Sequence, residues 1–304
     1  MKIHEATIVV RSVYERTEDL CKRLILEQGV KEENLFVIHE TPFSTALKYS
    51  FEIGIREDLP WTFCIDADVL LRPNSINTMI GHAESQKENV SEIQGLVLDK
   101  FFGGPRPAGN HLYRTNVLSK ALNKIPSEGV NIRPEYYTLQ KLKEDGYKWF
   151  NVPYIVGVHD DEQYNYDIYR KCFIQGVKHL KYAYMFVNIW KEGKGNDPDF
   201  SVALKAFSDS INNTDQLFID SNQNLYKQLF LNSGIKEKSK LDIRNLSLQN
   251  IESRVNNWID SPYYLREFPT RYGLDKGGEV IARFRRYLDK HGFKKTIRRL
   301  LNYT

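Results

Sequence analysis

Two aspartates one residue apart, Asp66-Ala67-Asp68, follow directly on the apolar run Trp61-Thr62-Phe63-Cys64-Ile65. Along an extended chain, residues i and i+2 point to the same side. Two carboxylates so placed can meet one hard divalent cation, Mn²⁺ or Mg²⁺, which takes oxygen ligands from carboxylates and phosphates. A cation there can neutralise a leaving diphosphate as a Lewis acid. The same pair also reads as a helix cap after a strand. The chain carries its own comparison, because Asp197-Pro198-Asp199 repeats the pattern in a polar segment with Gly193, Gly195 and Asn196, and reads as a turn and cap. What favours the first pair is its place at the end of an apolar strand.

The surrounding elements set that place. Ala6 to Val10 is a β-branched run and predicts a strand. Thr17 reads as an N-cap, with Glu18 and Asp19 in the first turn, Leu20, Leu24 and Ile25 as a helical stripe, and Gly29 as the stop. Leu35 to Ile38 predicts a second strand. Thr41 and Pro42 read as cap and first helical residue of a helix carrying Ala46, Leu47, Ser50, Phe51 and Gly54 on one face. Trp61 to Ile65 and Ile93 to Leu98 predict further strands, with a helix starting near Asn74 between them. The Gly- and Pro-rich stretch 103–109, with Arg106 inside it, reads as a flexible loop able to close over a ligand. Strands alternating with helices predict an α/β fold with a mainly parallel sheet and helices on both faces. Ligands in such sheets bind beyond the carboxyl ends of the strands. From about residue 165 the periodicity is helical throughout, with helices expected at 167–190, 199–211, 214–233 and 248–259. The expected division is a catalytic domain over 1–165 and a helical region over 166–304.

Four features in order give the stretch from Thr7 to His159 a resemblance to the family 2 glycosyltransferases and their relatives of the GT-A fold. They are the strand ending in Asp66-Ala67-Asp68 with Pro73 beyond it; the helix from Ser44-Thr45-Ala46-Leu47; the segment Gly109-Asn110-His111-Leu112-Tyr113-Arg114-Thr115; and Glu135, a helix, Gly146-Tyr147-Lys148, Val152-Pro153 and Val158-His159. The chain departs from the family at Arg11-Ser12-Val13-Tyr14, at His39-Glu40 and at Pro134-Glu135.

The resemblance implies a nucleotide-sugar donor, a saccharide or lipid-linked saccharide acceptor and an inverting transfer. It implies that Glu135 is the general base that takes the proton of the acceptor hydroxyl. It implies that His159 faces the metal or diphosphate beside Asp66 and Asp68, with Asp160 or Asp161 fixing the second ring nitrogen. Ser44 and Arg114 fall at donor-side positions. Arg11 is suited to a phosphate or a nucleobase, and Glu40 to a ribose hydroxyl or base N–H. His111 and Asp99 are the reserve candidates for the base. Each of these residues also has a plain structural reading: Glu135 as a carboxylate on a helix N-terminus after Pro134, His159 as a satisfied histidine at a strand end, Arg11 and Glu40 as surface residues.

Composition bounds the alternatives. The chain has 304 residues, 41% apolar and 27% charged, which is ordinary for a folded protein. Aromatic residues, 12% of the chain, suit both sugar stacking and core packing. No run of 18 apolar residues occurs and Met1 to Val10 lacks a leader's apolar core, so the expected location is cytoplasmic. Cys21, Cys64 and Cys172 are too widely spaced for a disulfide framework or zinc site and are expected to be reduced and buried. The net charge of +4 is uneven: Glu279 to Thr304 holds eight basic and two acidic residues, +6, which leaves −2 for the rest. That distribution argues against a nucleic-acid partner. It predicts a basic amphipathic helix, which either docks on an anionic membrane surface or packs on the protein's own body. Two other functional readings stay open. One is a nucleotidyltransferase, although the segment after the first strand has no glycine for a phosphate loop. The other is a non-catalytic, membrane-recruited scaffold.

Overall fold

The strand β1 (Ala6–Arg11) is buried along its whole length, as its β-branched run requires. It lies between β2 (Leu35–Ile38) and β3 (Trp61–Asp66), parallel to both. This computed structural model describes residues 3–131, 133–178, 183–211 and 224–260. The basic tail expected over 279–304 and the part 214–223 of the helix expected over 214–233 lie outside the described residues. By internal contacts the chain forms two compact units, Met1–Val255 and Asn256–Thr304. Apart from the end of the last described helix, all of the following concerns the first.

Eight strands make one sheet in the order β2-β1-β3-β7-β5-β8-β4, with β6 on β5. The added strands are β4 (Val69–Leu71), β5 (Val90–Asp99), β6 (Gly104–Pro107), β7 (Asn110–Arg114) and β8 (Lys148–His159). The expected α/β sheet is present, and it is mixed. Three pairings are parallel, but β3–β7, β4–β8, β5–β6 and β5–β7 are antiparallel. The stretch expected to be a flexible lid accounts for part of this. Residues 104–107 turn back along β5 as β6, pairing Asp99 with Gly104 and Val97 with Arg106, because Gly103 at φ +65 lets the chain reverse.

Helices α1 (Glu18–Leu26), α2 (Phe43–Glu57), α3 (Ser75–Glu84), α4 (Leu118–Leu122) and α5 (Pro134–Glu144) connect the strands. α2 starts one residue later than the sequence indicates, with Pro42 at the capping position. Thr17 caps α1 by position only, since its hydroxyl is spent on the carbonyl of Ala67. Leu47, Phe51, Cys64, Tyr113, Leu118 and Leu139 form one apolar cluster. α2 packs so tightly on β3 that a methyl at Gly54 would lie 2.3 Å from the Thr62 hydroxyl.

Among the described residues after β8 the regular elements are all helices, as the periodicity predicts: α6 (Asn165–Lys178), α7 (Ala183–Gly193), α8 (Asp199–Ser210), α9 (Asn224–Asn232) and α10 (Leu248–Ile259). The span expected as one helix, 167–190, is described as α6 and α7. α6 to α9 are not a separate body. They share an apolar cluster with Phe101 and Phe102, the residues just after β5, and the Trp190 indole donates to the Phe101 carbonyl at 2.8 Å. Asp197 and Asp199 do what was expected of them: Asp197 accepts from the Asp199 N–H at 2.9 Å at the start of α8.

Candidate functional site

β1, β2, β3, β5 and β8 run in one direction, and a cavity of about 230 Å³ opens where they end. Its walls include Arg11 from β1, Glu40 after β2, Asp66 and Asp68 around the end of β3, Phe101 and Phe102 after β5, and His159 and Asp160 at the end of β8. α6 closes the cavity with Arg170, Lys171 and Gln175.

The segment Asp66-Ala67-Asp68 is not extended. β3 stops at Asp66 and the next two residues turn into β4. The turn is held from three sides: Ala67 N–H donates to the Arg11 carbonyl at 2.9 Å, Asp66 N–H to the Gly109 carbonyl at 2.8 Å, and the Thr17 hydroxyl to the Ala67 carbonyl at 2.8 Å. The two carboxylates both line the cavity but take different partners, Asp66 pairing with Arg11 and Asp68 with Lys171.

Asp68 joins His159 and Asp160. One ligand atom from each lies within 4.8 Å of the others, and all three residues are buried. The sheet register makes this group. Val69 pairs with His159 across the antiparallel β4–β8 ladder, and the Asp160 N–H donates to the Asp68 carbonyl. His159 Nε2 faces Asp68 Oδ1 at 3.4 Å, and that oxygen is buried without a hydrogen-bond partner. His159 Nδ1 is fixed by Asp99 at 2.8 Å and by Asp160 at 3.1 Å. Of the two partners expected for that nitrogen, Asp160 takes part, whereas Asp161 pairs with Arg254. Asp99 is no free base. It accepts from the Phe101 and Phe102 N–H groups and from Arg106 Nε at 2.6 Å.

Charge is dense here. Burial alone would push the Asp68 carboxyl up, but the Lys171 ammonium and His159 imidazole beside it hold it well below the usual carboxylate range. Burial likewise opposes the charged form of His159, yet Asp160, Asp68 and Asp99 raise it well above the ordinary imidazole value. The donor set, two carboxylates and an imidazole with one unsatisfied buried oxygen, fits a divalent cation such as Mn²⁺.

Asp66, by contrast, belongs to Arg11. The two are register partners in the β1–β3 ladder, and Arg11 Nε lies 2.8 Å from Asp66 Oδ1. Burial, with Asp68 and Glu135 nearby, raises the Asp66 carboxyl despite Arg11. Arg11 also reaches Glu135 at 3.0 Å and lies over the Phe43 ring.

Glu135 is 6% exposed and is not among the residues lining the cavity. Its Oε1 accepts from Arg11 and from the Tyr113 hydroxyl at 2.7 Å, and its Oε2 faces His111 Nε2 at 3.0 Å. Burial is outweighed by Arg11 and His111, which hold the carboxyl far below its ordinary value. His111 sits between Glu135 and Glu92, and against burial the two carboxylates push it up to about 10.

Of the remaining expected residues, Glu40 lines the cavity. Ser44 lies in α2 between the lining residues Phe43 and Ala46 and does not itself line it. Arg114 is elsewhere: its guanidinium donates to the carbonyls of Val90, Ala83 and Gln86 and covers the Trp61 ring. Glu15 and Lys171 are among the lining residues that escaped sequence reasoning. Glu15, half-buried beside Ser12, is pushed up to about 7 by burial and the nearby Asp68, with Lys171 opposing. Lys171 bridges Asp68 and Asp160. Its signal was faint: a single lysine among Ile168, Tyr169, Cys172 and Phe173, all buried. The three cysteines are free and buried as expected.

No family model matches the sequence, and no curated protein does. Solved structures give distant likenesses. A glycosyltransferase involved in glycosylation of the major capsid of PBCV-1 is 13% identical, with 49% of this chain and 82% of that one covered and a TM-score of 0.35. The mannosyltransferase PcManGT from Pyrobaculum calidifontis, in complex with GDP-Man and Mn²⁺, is 11% identical over 76% of this chain and 79% of its own, with a TM-score of 0.37. A cytidylyltransferase from Leptospira borgpetersenii is 11% identical over 70% of this chain and 100% of its own, with a TM-score of 0.34. Among the described residues no helix is long and apolar enough to cross a membrane.

Proposed function

We propose that this chain is a metal-dependent glycosyltransferase of the GT-A type, which moves a sugar from a nucleotide-sugar donor to a hydroxyl acceptor. The observation that carries the proposal is the group Asp68, His159 and Asp160, gathered in a cavity at the carboxyl ends of parallel strands. These three residues would hold the ion. When bound, the ion would neutralise charge on the leaving diphosphate. The chain's own part is orientation and electrostatics. Asp99 fixes the His159 ring so that Nε2 is turned toward Asp68. Arg106 and Arg170 add positive charge to the cavity wall.

Asp66 and Glu40, both at the cavity, suit hydroxyl or N–H groups of the nucleotide. Glu135 takes a positioning role in this reading. It holds Arg11, and through Arg11 the Asp66 carboxylate.

The test is a panel of nucleotide-sugars with Mn²⁺, read by the product. Release of a nucleoside diphosphate that stops on chelation and in Asp68→Asn supports glycosyl transfer. Release of pyrophosphate from a nucleoside triphosphate and a sugar phosphate would instead make the chain a nucleotidyltransferase.

A further inference from the structure

Lys171 reaches the site from outside the sheet. Its helix, α6, is anchored in the apolar cluster by the buried neighbours Tyr169, Cys172 and Phe173, so the ammonium is delivered to a fixed place. There it lies on Asp68 Oδ2 and Asp160 Oδ1. These residues supply two of the three ligand atoms that gather within 4.8 Å. The other Asp68 oxygen is the buried one without a hydrogen-bond partner. A tethered ammonium and a divalent ion therefore compete for the same carboxylates, and at a few ångströms they repel each other strongly in a partly buried site.

We infer that Lys171 is a resident counter-ion of the metal site, which a divalent cation must displace, so that this residue sets the metal affinity. The inference rests on reading Asp68, His159 and Asp160 as the metal ligands. In the metal-free protein Lys171, together with His159, offsets the charge of the two buried carboxylates, which spares the fold an uncompensated charge pair. Its flexible four-carbon stem lets the ammonium move without disturbing α6. Lys171 also lines the cavity.

The experiment is a Mn²⁺ titration of the full-length protein without nucleotide, with free Mn²⁺ followed by electron paramagnetic resonance. Lys171→Met is expected to bind Mn²⁺ at least about tenfold more tightly than wild type, the effect of taking one positive charge from a partly buried site. Lys171→Gln carries the same expectation and keeps a hydrogen-bond donor, should the methionine variant fail to fold. Lys171→Arg keeps the charge and should bind no more tightly than wild type. Both neutral variants should be less stable than wild type without metal and should gain more in Tm on Mn²⁺ addition. Equal Mn²⁺ affinity in wild type and neutral variants, with binding abolished by Asp68→Asn, overturns the inference and leaves the metal reading intact. No binding by wild type or by either neutral variant overturns the metal reading and this inference with it.

Discussion

His159 and Asp99 stand opposite each other on the parallel strands β8 and β5, with the imidazole Nδ1 2.8 Å from the carboxylate. That contact decides which ring nitrogen faces Asp68. A carboxylate behind a ligating histidine fixes its orientation and raises its basicity, and loss of such a partner typically costs about 10- to 100-fold in metal affinity. Asp99→Asn is therefore expected to weaken Mn²⁺ binding by about that factor, measured by titration. An affinity unchanged in this variant would mean that Asp99 does not position His159 for the ion.

Asp66 and Asp68 pair with different groups, Arg11 and Lys171, and the proposed function gives them different roles. Asp68→Asn is expected to abolish Mn²⁺ binding. Asp66→Asn is expected to leave it within a few-fold of wild type, since Asp66 pairs with Arg11 and is not in the ligand group. Calorimetric titration of both variants checks this, and equal losses would show that the two carboxylates share one ion after all.

Glu135→Gln removes the charge that compensates both Arg11 and His111. Breaking a buried pair by removing one partner costs about 3–5 kcal/mol, and the retained amide should keep the loss to the lower part of that range. Denaturant unfolding measures it. A variant as stable as wild type but nearly inactive would restore Glu135 to the role of general base.

Stability should peak on the acid side of neutral. Glu135, held far below its ordinary 4.5, contributes stability that is complete above 4.5 and lost as pH falls below it. His111 is raised from 6.5 to about 10, so its contribution is complete below 6.5 and lost as pH rises toward 10. Glu15, pushed from 4.5 to about 7, costs stability as pH rises between those values. Tm is expected to be highest between about pH 4.5 and 6.5, and the alkaline decline should flatten in Glu135→Gln, where His111 loses its first partner. A Tm that rises steadily from pH 6 to 9 would contradict this.

The β4–β8 register can be tested by one methyl group. A Cβ at Gly157 would lie 2.0 Å from the Leu70 carbonyl oxygen, so the strands must part to admit it. Gly157→Ala is expected to cost about 3 kcal/mol or more and to lose Mn²⁺ binding, because the same ladder sets His159 beside Val69 and so next to Asp68. Chemical denaturation with a parallel Mn²⁺ titration reads both effects.

Local pattern was enough to determine much of the architecture. Period-2 and period-3.6 runs fixed β1, β2, β3, α1 and the helical second half, because each element must bury its own apolar face whatever its neighbours are. Position at a strand end singled out Asp66 and Asp68 together, and the resemblance to the GT-A enzymes pointed to His159, whose Nε2 lies 3.4 Å from Asp68. Tertiary structure alone decided the rest. The strand order places Arg11 beside Asp66 and so pairs the two side chains. The close approach of β7 and α5 encloses Glu135 between Arg11, Tyr113 and His111, which no feature near residue 135 announces. The reversal at Gly103 turns an expected lid into β6 and brings Arg106 onto Asp99. Lys171 meets Asp68 across 103 residues of sequence only because α6 docks on the turn after β5. Charges in a low-dielectric interior take their partners from whichever elements the sheet order makes neighbours, and that order is set by long-range pairing energies with no local signature.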